Sequence, residues 1–414
     1  MRPDYFPLIV LVLVFLLVAV RQVGGFKLGI WQIMLGGAFL VLASGSITPL
    51  EALGAINLDV IIFLFGMFVV GEALVESGYL YHLSFVLFKR ARTANSLVLA
   101  VLFVMGFFSS FLMNDTVAII GTPLVLYFSG RHGVSAKLML LALCFAVTIG
   151  SVPSPIGNPQ NLLIAIGSGM ANPFVTFLRY LFVPTVVNLF AAYLVLKLLY
   201  RGEFHSRPLE SVREEIRDTG LARLSKVSLW LIFLLVALKV ATVFTGWMEL
   251  RLTYIAVIAA LPVILFSPKR MRVLRRIDWH TLVFFASLFV LMESVWRSGF
   301  LQYLINGWGG DLSGVEPVLL MSAVLSQLLS NVPFVALYLP VLTHLGAGVN
   351  AMAALAAGST IAGNLLILGA ASNIIVIQNA EKRGHTLSFY EFARAGVPLT
   401  LINIFVYWVF LRWV

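Results

Sequence analysis

Two stretches put carboxamides, hydroxyls and one carboxylate where this chain is otherwise most apolar: FSSFLMNDTVAIIGTP at 108–123 and LLSNVPFVALYLP at 328–340. Two more, VPSPIGNPQN at 152–161 and GNLLILGAASN at 363–373, interrupt long apolar runs with Pro, Gly and Asn. These residue types suit ion chemistry. Carboxamide and hydroxyl oxygens, with the backbone dipoles that an interrupted helix exposes, replace the water around a small ion, while half-helix N-termini face an anion. The candidate binding residues are Asn114, Asp115, Thr116, Gly157, Asn158 and Asn161 from one pair of stretches, and Ser330, Asn331, Pro333, Gly369, Ser372 and Asn373 from the other.

Asp115 stands apart, because its counterpart in the second stretch is Val332. An ionised carboxylate at membrane depth costs roughly 3 kcal/mol without a partner. It must be protonated, ion-paired or bound to a cation, which makes it the first candidate for coupling to H⁺ or Na⁺. The competing reading is a neutral carboxyl in a structural hydrogen bond. Glu72 and Glu293 are further coupling candidates, or else pair structurally with Lys239 or Arg297. A single Asn in a membrane helix is accounted for by a bond to a neighbouring helix, but four Asn at matched positions beside Gly, Pro or Ser point to a site. Pro123 and Pro340 read as kinks, and Gly157 and Gly369 as residues that permit an unwound backbone.

Composition excludes most alternatives. Of 414 residues, 60% are hydrophobic and 11% charged, which is a polytopic membrane protein and not a soluble domain. The lone cysteine, Cys144, rules out a disulfide framework or a Cys-based metal cluster, and no tightly bound metal or organic cofactor is expected. Walker A and HExxH sequences are absent, and no nucleophile–base pair falls at membrane depth, so the chain does not read as an enzyme. The net charge of +10 is better explained by cytoplasmic loops than by nucleic acid.

The elements that must hold these residues follow from run lengths. Apolar runs of bilayer-crossing length, roughly 17 to 25 residues, lie near 6–21, 28–45, 58–78, 174–199, 228–246, 251–267, 279–298 and 393–413. Residues 94–129 and 316–346 read as re-entrant hairpins, and 136–169 and 351–379 as helices broken at mid-membrane, tolerable only where protein or a wet cavity covers the freed backbone. A polar linker, 201–226, carries six Lys/Arg against five Asp/Glu, and a short surface helix is expected from the capping pattern Ser211 to Glu214. The stretches on either side match in order: Ser109, Asn114 and Pro123 with Ser326, Asn331 and Pro340; Thr148, Gly157 and Asn161 with Thr360, Gly369 and Asn373; Glu72 and Gly78 with Glu293 and Gly299. The expected fold is therefore an all-α polytopic membrane protein with two inverted repeats, 1–200 and 227–414, of five crossings each, two re-entrant hairpins and two unwound helices. Arg and Lys near 21–27, 89–92, 131–137, in the linker, at 267–276 and at 382–383 fall on one face of that arrangement, which places the linker in the cytoplasm and both termini outside the plasma membrane.

MNDTVAIIGTP, IGNPQN, LLSNVPFVALYLP and GNLLILGAASNIIVIQNAEKRGHTLSFYEFARAGVP resemble the ion transporter superfamily, in particular its arsenite permease, P-protein and citrate-transporter-like members. The resemblance runs from about Leu58 to the C-terminus. It implies elevator-like alternating access in a homodimer. The dicarboxylate branch has Ser-Asn-Thr at each tip, with Asn nine residues before a Pro; here that spacing is kept, but Met113, Asp115 and Val332 replace flanking hydroxyls. The Asn-Asp pair looks more like the arsenite permeases, which move arsenite or antimonite outward in exchange for protons. The expectation is an H⁺- or Na⁺-coupled permease for arsenite, antimonite or another small anion, with a Na⁺/H⁺ antiporter next and an organic-anion, citrate-like carrier third. A channel would need both hairpins to open together.

Overall fold

The computed structural model describes the chain except for residues 1–4, 21, 24–25, 28, 80–81, 84–90, 92, 205–217, 246–250, 301–302, 304–311 and 414. It is helical throughout apart from a two-residue antiparallel pairing of Gln22–Val23 with Phe26–Lys27. The helices are α1 (Phe6–Val20), α2 (Ile30–Ala43), α3 (Pro49–Ala55) and α4 (Leu58–Ser77). After them come α5 (Ala94–Phe111), α6 (Asn114–His132), α7 (Ala136–Ser151), α8 (Pro159–Gly167) and α9 (Pro173–Leu199). The chain continues with α10 (Thr219–Thr245), α11 (Leu252–Phe266), α12 (Arg270–Arg276), α13 (Trp279–Arg297), α14 (Val315–Leu329) and α15 (Asn331–His344). It closes with α16 (Val349–Ile361), α17 (Ala371–Glu381) and α18 (Phe389–Trp413).

Local chemistry sets the boundaries. Thr48 with Glu51 and Thr93 with Ser96 form capping boxes at α3 and α5, and Asn57, Asn158 and Asp278 cap α4, α8 and α13 through their side chains. Pro153, Pro155 and Pro159 supply no backbone N–H, so 152–158 cannot continue α7, and α8 restarts with Pro159 at its first position. The second break is milder: 3₁₀ turns at Ala362–Asn364 and Ile367–Gly369 separate α16 from α17. Within α5, Val101–Met105 forms a π turn.

Both broken helices lie at the centre of the molecule. Every residue from 138 to 165 and from 351 to 364 is buried, which is the condition for unwound backbone at membrane depth. Around them α6 packs on α7 and α17, α8 on α15, α14 on α16, and α9 on α18. A second set of helices joins α4 to α11 and α10, and α13 to α2, with its own apolar cluster of Val10, Val14, Met34, Val41, Leu288 and Leu291. Gly66 lets α4 and α11 touch, since a Cβ there would lie 2.7 Å from the Ala256 carbonyl oxygen.

Both expected hairpins turn where the sequence places them. By length α5 suffices to cross a bilayer, yet it ends at Leu112 and Met113, buried against the first break and not at a surface. Two expectations change. The polar linker is shorter than 201–226, because α10 already begins at Thr219: Leu221, Ala222 and Ser225 are buried on one face, so the helix runs on beyond its apolar stretch. The surface helix at Ser211–Glu214 lies outside the described residues.

One end of the bundle gathers charge. Glu76 at the end of α4 pairs with Arg272 at 3.3 Å and Arg276 at 2.5 Å, Lys269 pairs with Asp218 at 2.5 Å, and Lys137 pairs with Glu391. Elsewhere, three cations each meet an acid: Arg251 and Asp59 at 3.9 Å, Arg297 and Glu51 at 2.5 Å, Arg412 and Glu316 at 3.6 Å.

Candidate functional site

The first hairpin tip closes directly on the first break. The Asn114 backbone N–H donates to the Gly157 carbonyl at 2.9 Å, and the Asn114 Oδ1 accepts from the Asp115 N–H at 3.0 Å. Gly157 is there because nothing larger fits: a Cβ would lie 2.5 Å from the Ser151 carbonyl oxygen and 2.8 Å from that of Ser109. Asn158 accepts from the Asn161 N–H at 2.8 Å and donates to Ser151 Oγ at 2.9 Å. The Asn161 amide spans the loop, reaching the carbonyls of Ser151, Val152 and Ser154 at 3.1, 3.2 and 3.0 Å. Thr116 packs on Gly71 of α4.

Several of these bonds recur about 212–217 residues further on. Ser110 Oγ donates to the Gly150 carbonyl at 2.5 Å, and Gln327 Nε2 donates to the Ala362 carbonyl. Asn161 holds the Ser151 carbonyl, and Asn373 Nδ2 holds the Gly363 carbonyl at 2.6 Å. The breaks are tied to each other through one hydroxyl: Thr360 Oγ1 accepts from Asn158 Nδ2 at 3.3 Å and Gln160 Nε2 at 3.4 Å, and donates to Asn161 Oδ1 at 3.3 Å. Sequence reasoning brought tip to tip; these bonds instead run from tip to break and from break to break.

The two sides then part. On the first, Ser109, Ser110, Ser151, Asn158 and Asn161 all find partners. On the second, the oxygens of Ser326, Gln327, Asn331, Ser372 and Asn373 are buried without a hydrogen-bond partner in the protein. Buried polar atoms are nearly always paired, so such a group of oxygens marks the place for something that donates to them. Ser330, at the second tip, has φ 68° and ψ 155°, a region essentially restricted to glycine, and is the one non-glycine residue at positive φ among the described residues. Asn331 is 7% exposed and Pro333 is buried behind it.

Gln327 was missed in the sequence. It touches Gly369, where a Cβ would lie 2.7 Å from its Oε1; its match to Ser110, at the shift that relates Asn114 to Asn331, was the available signal. Thr360 was noted only as a repeat match. Asp278, set aside as a span-end residue, acts electrostatically on Asp115. The other coupling candidates divide: Glu293 binds Arg297 at 2.6 Å, the structural alternative, whereas Glu72 is half-buried on α4 one turn before Glu76. No group of three or more His, Cys, Asp or Glu able to hold a metal occurs among the described residues.

This arrangement has known relatives. The profile of the CitMHS family, described as citrate transporter, matches residues 10–356. The chain belongs to the CitMHS family. It is a secondary transporter and not an enzyme. Among its CitMHS-like relatives, an uncharacterized transporter of Mycobacterium tuberculosis is 28% identical over 377 residues, covering 86% of each chain. The silicon efflux transporter LSI3 of Oryza sativa subsp. japonica is 26% identical over 433 residues, covering 88% of this chain and 89% of its own. The fold is shared with the Alcanivorax borkumensis YdaH transporter, at a TM-score of 0.61 and 16% identity, over 99% of this chain and 98% of that one.

Proposed function

We propose that this CitMHS transporter moves a small hydroxylated inorganic solute of the arsenite or antimonite kind across the plasma membrane, coupled to H⁺ or Na⁺ through Asp115. One observation carries the reading: the unpartnered atoms at the second tip and break are oxygens, on Gln327, Asn331, Ser372 and Asn373. Amide oxygens accept hydrogen bonds and repel anions, so they suit a solute that presents O–H groups, as arsenite does in its uncharged trihydroxide form at neutral pH. A tricarboxylate such as citrate needs donors or cations, and none of the candidate binding residues is Lys, Arg or His. The silicon efflux transporter among the relatives supports a small inorganic cargo. Alternating access by two inverted repeats, with hairpins and broken helices moving together in a homodimer, completes the proposal, and the bonds that recur 212 residues apart support it.

The test is counterflow in proteoliposomes with arsenite, sodium and citrate side by side under an imposed pH gradient, for the wild type and Asp115→Asn. Arsenite flux that follows the gradient in the wild type and loses that dependence in the variant is the expected result. Citrate flux without arsenite flux refutes the cargo. A second reading rests on the same oxygens, which also suit a desolvated cation: sodium-driven proton movement with no arsenite flux identifies a Na⁺/H⁺ antiporter.

A further inference from the structure

Away from the tips, where α8 ends and α9 begins, a cavity of about 320 Å³ lies between α4, α8, α9, α10 and α11. Its charged lining is Asp59, Lys239 and Arg251. Lys239 is 7% exposed, although it sits within the apolar α10. Keeping an ammonium out of water needs compensation by negative charge or several acceptors. Asp59 supplies part of it but is engaged elsewhere: its Oδ1 accepts from Thr253 Oγ1 at 2.7 Å, and its Oδ2 lies 3.9 Å from Arg251. The lining therefore carries one more positive than negative charge.

The backbone adds to this. Ala171 and Pro173 bring the N-terminus of α9 to the cavity, and Arg251, Leu252 and Thr253 bring that of α11. Neither N-terminus is capped by its own side chain. First-turn N–H groups and the positive end of the helix dipole favour an anion, and here two such ends converge on a space already lined by a buried ammonium and a guanidinium.

We propose that this cavity is an oxyanion site of phosphate type, held by Lys239 and Arg251 and by the first turns of α9 and α11. It is separate from the cargo site at the hairpin tips, since none of the residues assigned there lines it. Its occupant touches both the central helices, through α8 and α9, and the surrounding ones, through α4, α10 and α11. An inorganic oxyanion and an anionic lipid headgroup present the same chemistry, and the experiment separates them.

Full-length protein purified in an uncharged detergent is titrated with inorganic phosphate, and in parallel reconstituted into nanodiscs of phosphatidylcholine with and without phosphatidylglycerol, lipid retention being read by native mass spectrometry. Lys239→Met removes the ammonium at similar volume, Lys239→Arg restores a cation, and Arg251→Gln changes a largely exposed position that folding tolerates. Binding of phosphate, or selective retention of phosphatidylglycerol, that is at least tenfold weaker in Lys239→Met, severalfold weaker in Arg251→Gln and recovered in Lys239→Arg bears the proposal out. The probe that responds identifies the source. If neither probe binds the wild type, or if Lys239→Met and Arg251→Gln bind as the wild type does, the proposal fails. Should Lys239→Met not fold, the Arg251→Gln and Lys239→Arg pair decides in the same way.

Discussion

Replacing Asn161 by Leu keeps the volume and removes a carboxamide that holds the first break together. In the wild type its two amide hydrogens serve the carbonyls of Ser151, Val152 and Ser154 at 3.1, 3.2 and 3.0 Å, and its Oδ1 accepts from Thr360. All of this is buried, so water cannot take over. Each buried group left unsatisfied costs about 1–3 kcal/mol, and losing two donated bonds gives about 2–6 kcal/mol. With an unfolding entropy of about 2.1 cal/mol/K per residue, a chain of 414 residues loses roughly 1 °C in Tm for each 0.9 kcal/mol. Asn161→Leu is therefore expected to lower Tm by about 2–7 °C, measured by thermal unfolding in detergent followed by gel filtration. Asn161→Asp should cost at least as much, because it turns an acceptor towards three carbonyls. Wild-type Tm in both variants would show that the loop is held by packing alone and that the amide contacts do not stabilise it.

Other outcomes follow from the same geometry. Gly150→Ala should destabilise by about 1–3 kcal/mol or more, since its Cβ would lie 2.2 Å from the Gly106 Cα and only backbone can yield; Tm and monodispersity check it. Ser330→Gly relieves a backbone conformation costing about 1–3 kcal/mol and adds back less than about 1 kcal/mol of chain entropy, so Tm should hold or rise while transport slows; a clear fall in Tm contradicts the strain argument. At the charged end, the hydrogen bond from Lys269 holds the Asp218 carboxyl below the usual carboxylate range. A depressed folded pKa stabilises above the unfolded value, about 3.9, and that stability is lost as pH falls through the folded value. Lys269→Met should thus lower Tm at pH 7, and the difference from wild type should close below about pH 4.

Much of this was legible in the sequence, for identifiable reasons. Pro153, Pro155 and Pro159 lack an N–H whatever surrounds them, so the first break is written in residue types. The hairpin at Ser330 and Asn331 was legible as polar residues in an apolar run. What could not be read was partnership. Asn161 and Asn373 are matched in sequence, yet one has its Oδ1 bonded to Thr360 and the other has no partner for it, because that depends on which helix passes opposite. Nor does one-dimensional order show that Lys239, Asp59 and Arg251 share a cavity, since they come from three helices far apart in the chain.

The π turn at Val101–Met105 bears on how the first tip is aimed. A π turn accommodates one residue more than an α-helix does over the same rise, and in an α-helix each residue turns the chain by about 100°. Deleting a single residue there would restore regular α-helix without breaking the arm, and would swing everything after it, Asn114 and Asp115 included, by about that angle. No such turn occurs in α14, the arm leading to Asn331. The first hairpin therefore has an adjustable heading that the second lacks. Its register can be reset by an indel remote from the cargo, so selectivity in this fold has a route to change that leaves every contacting residue in place.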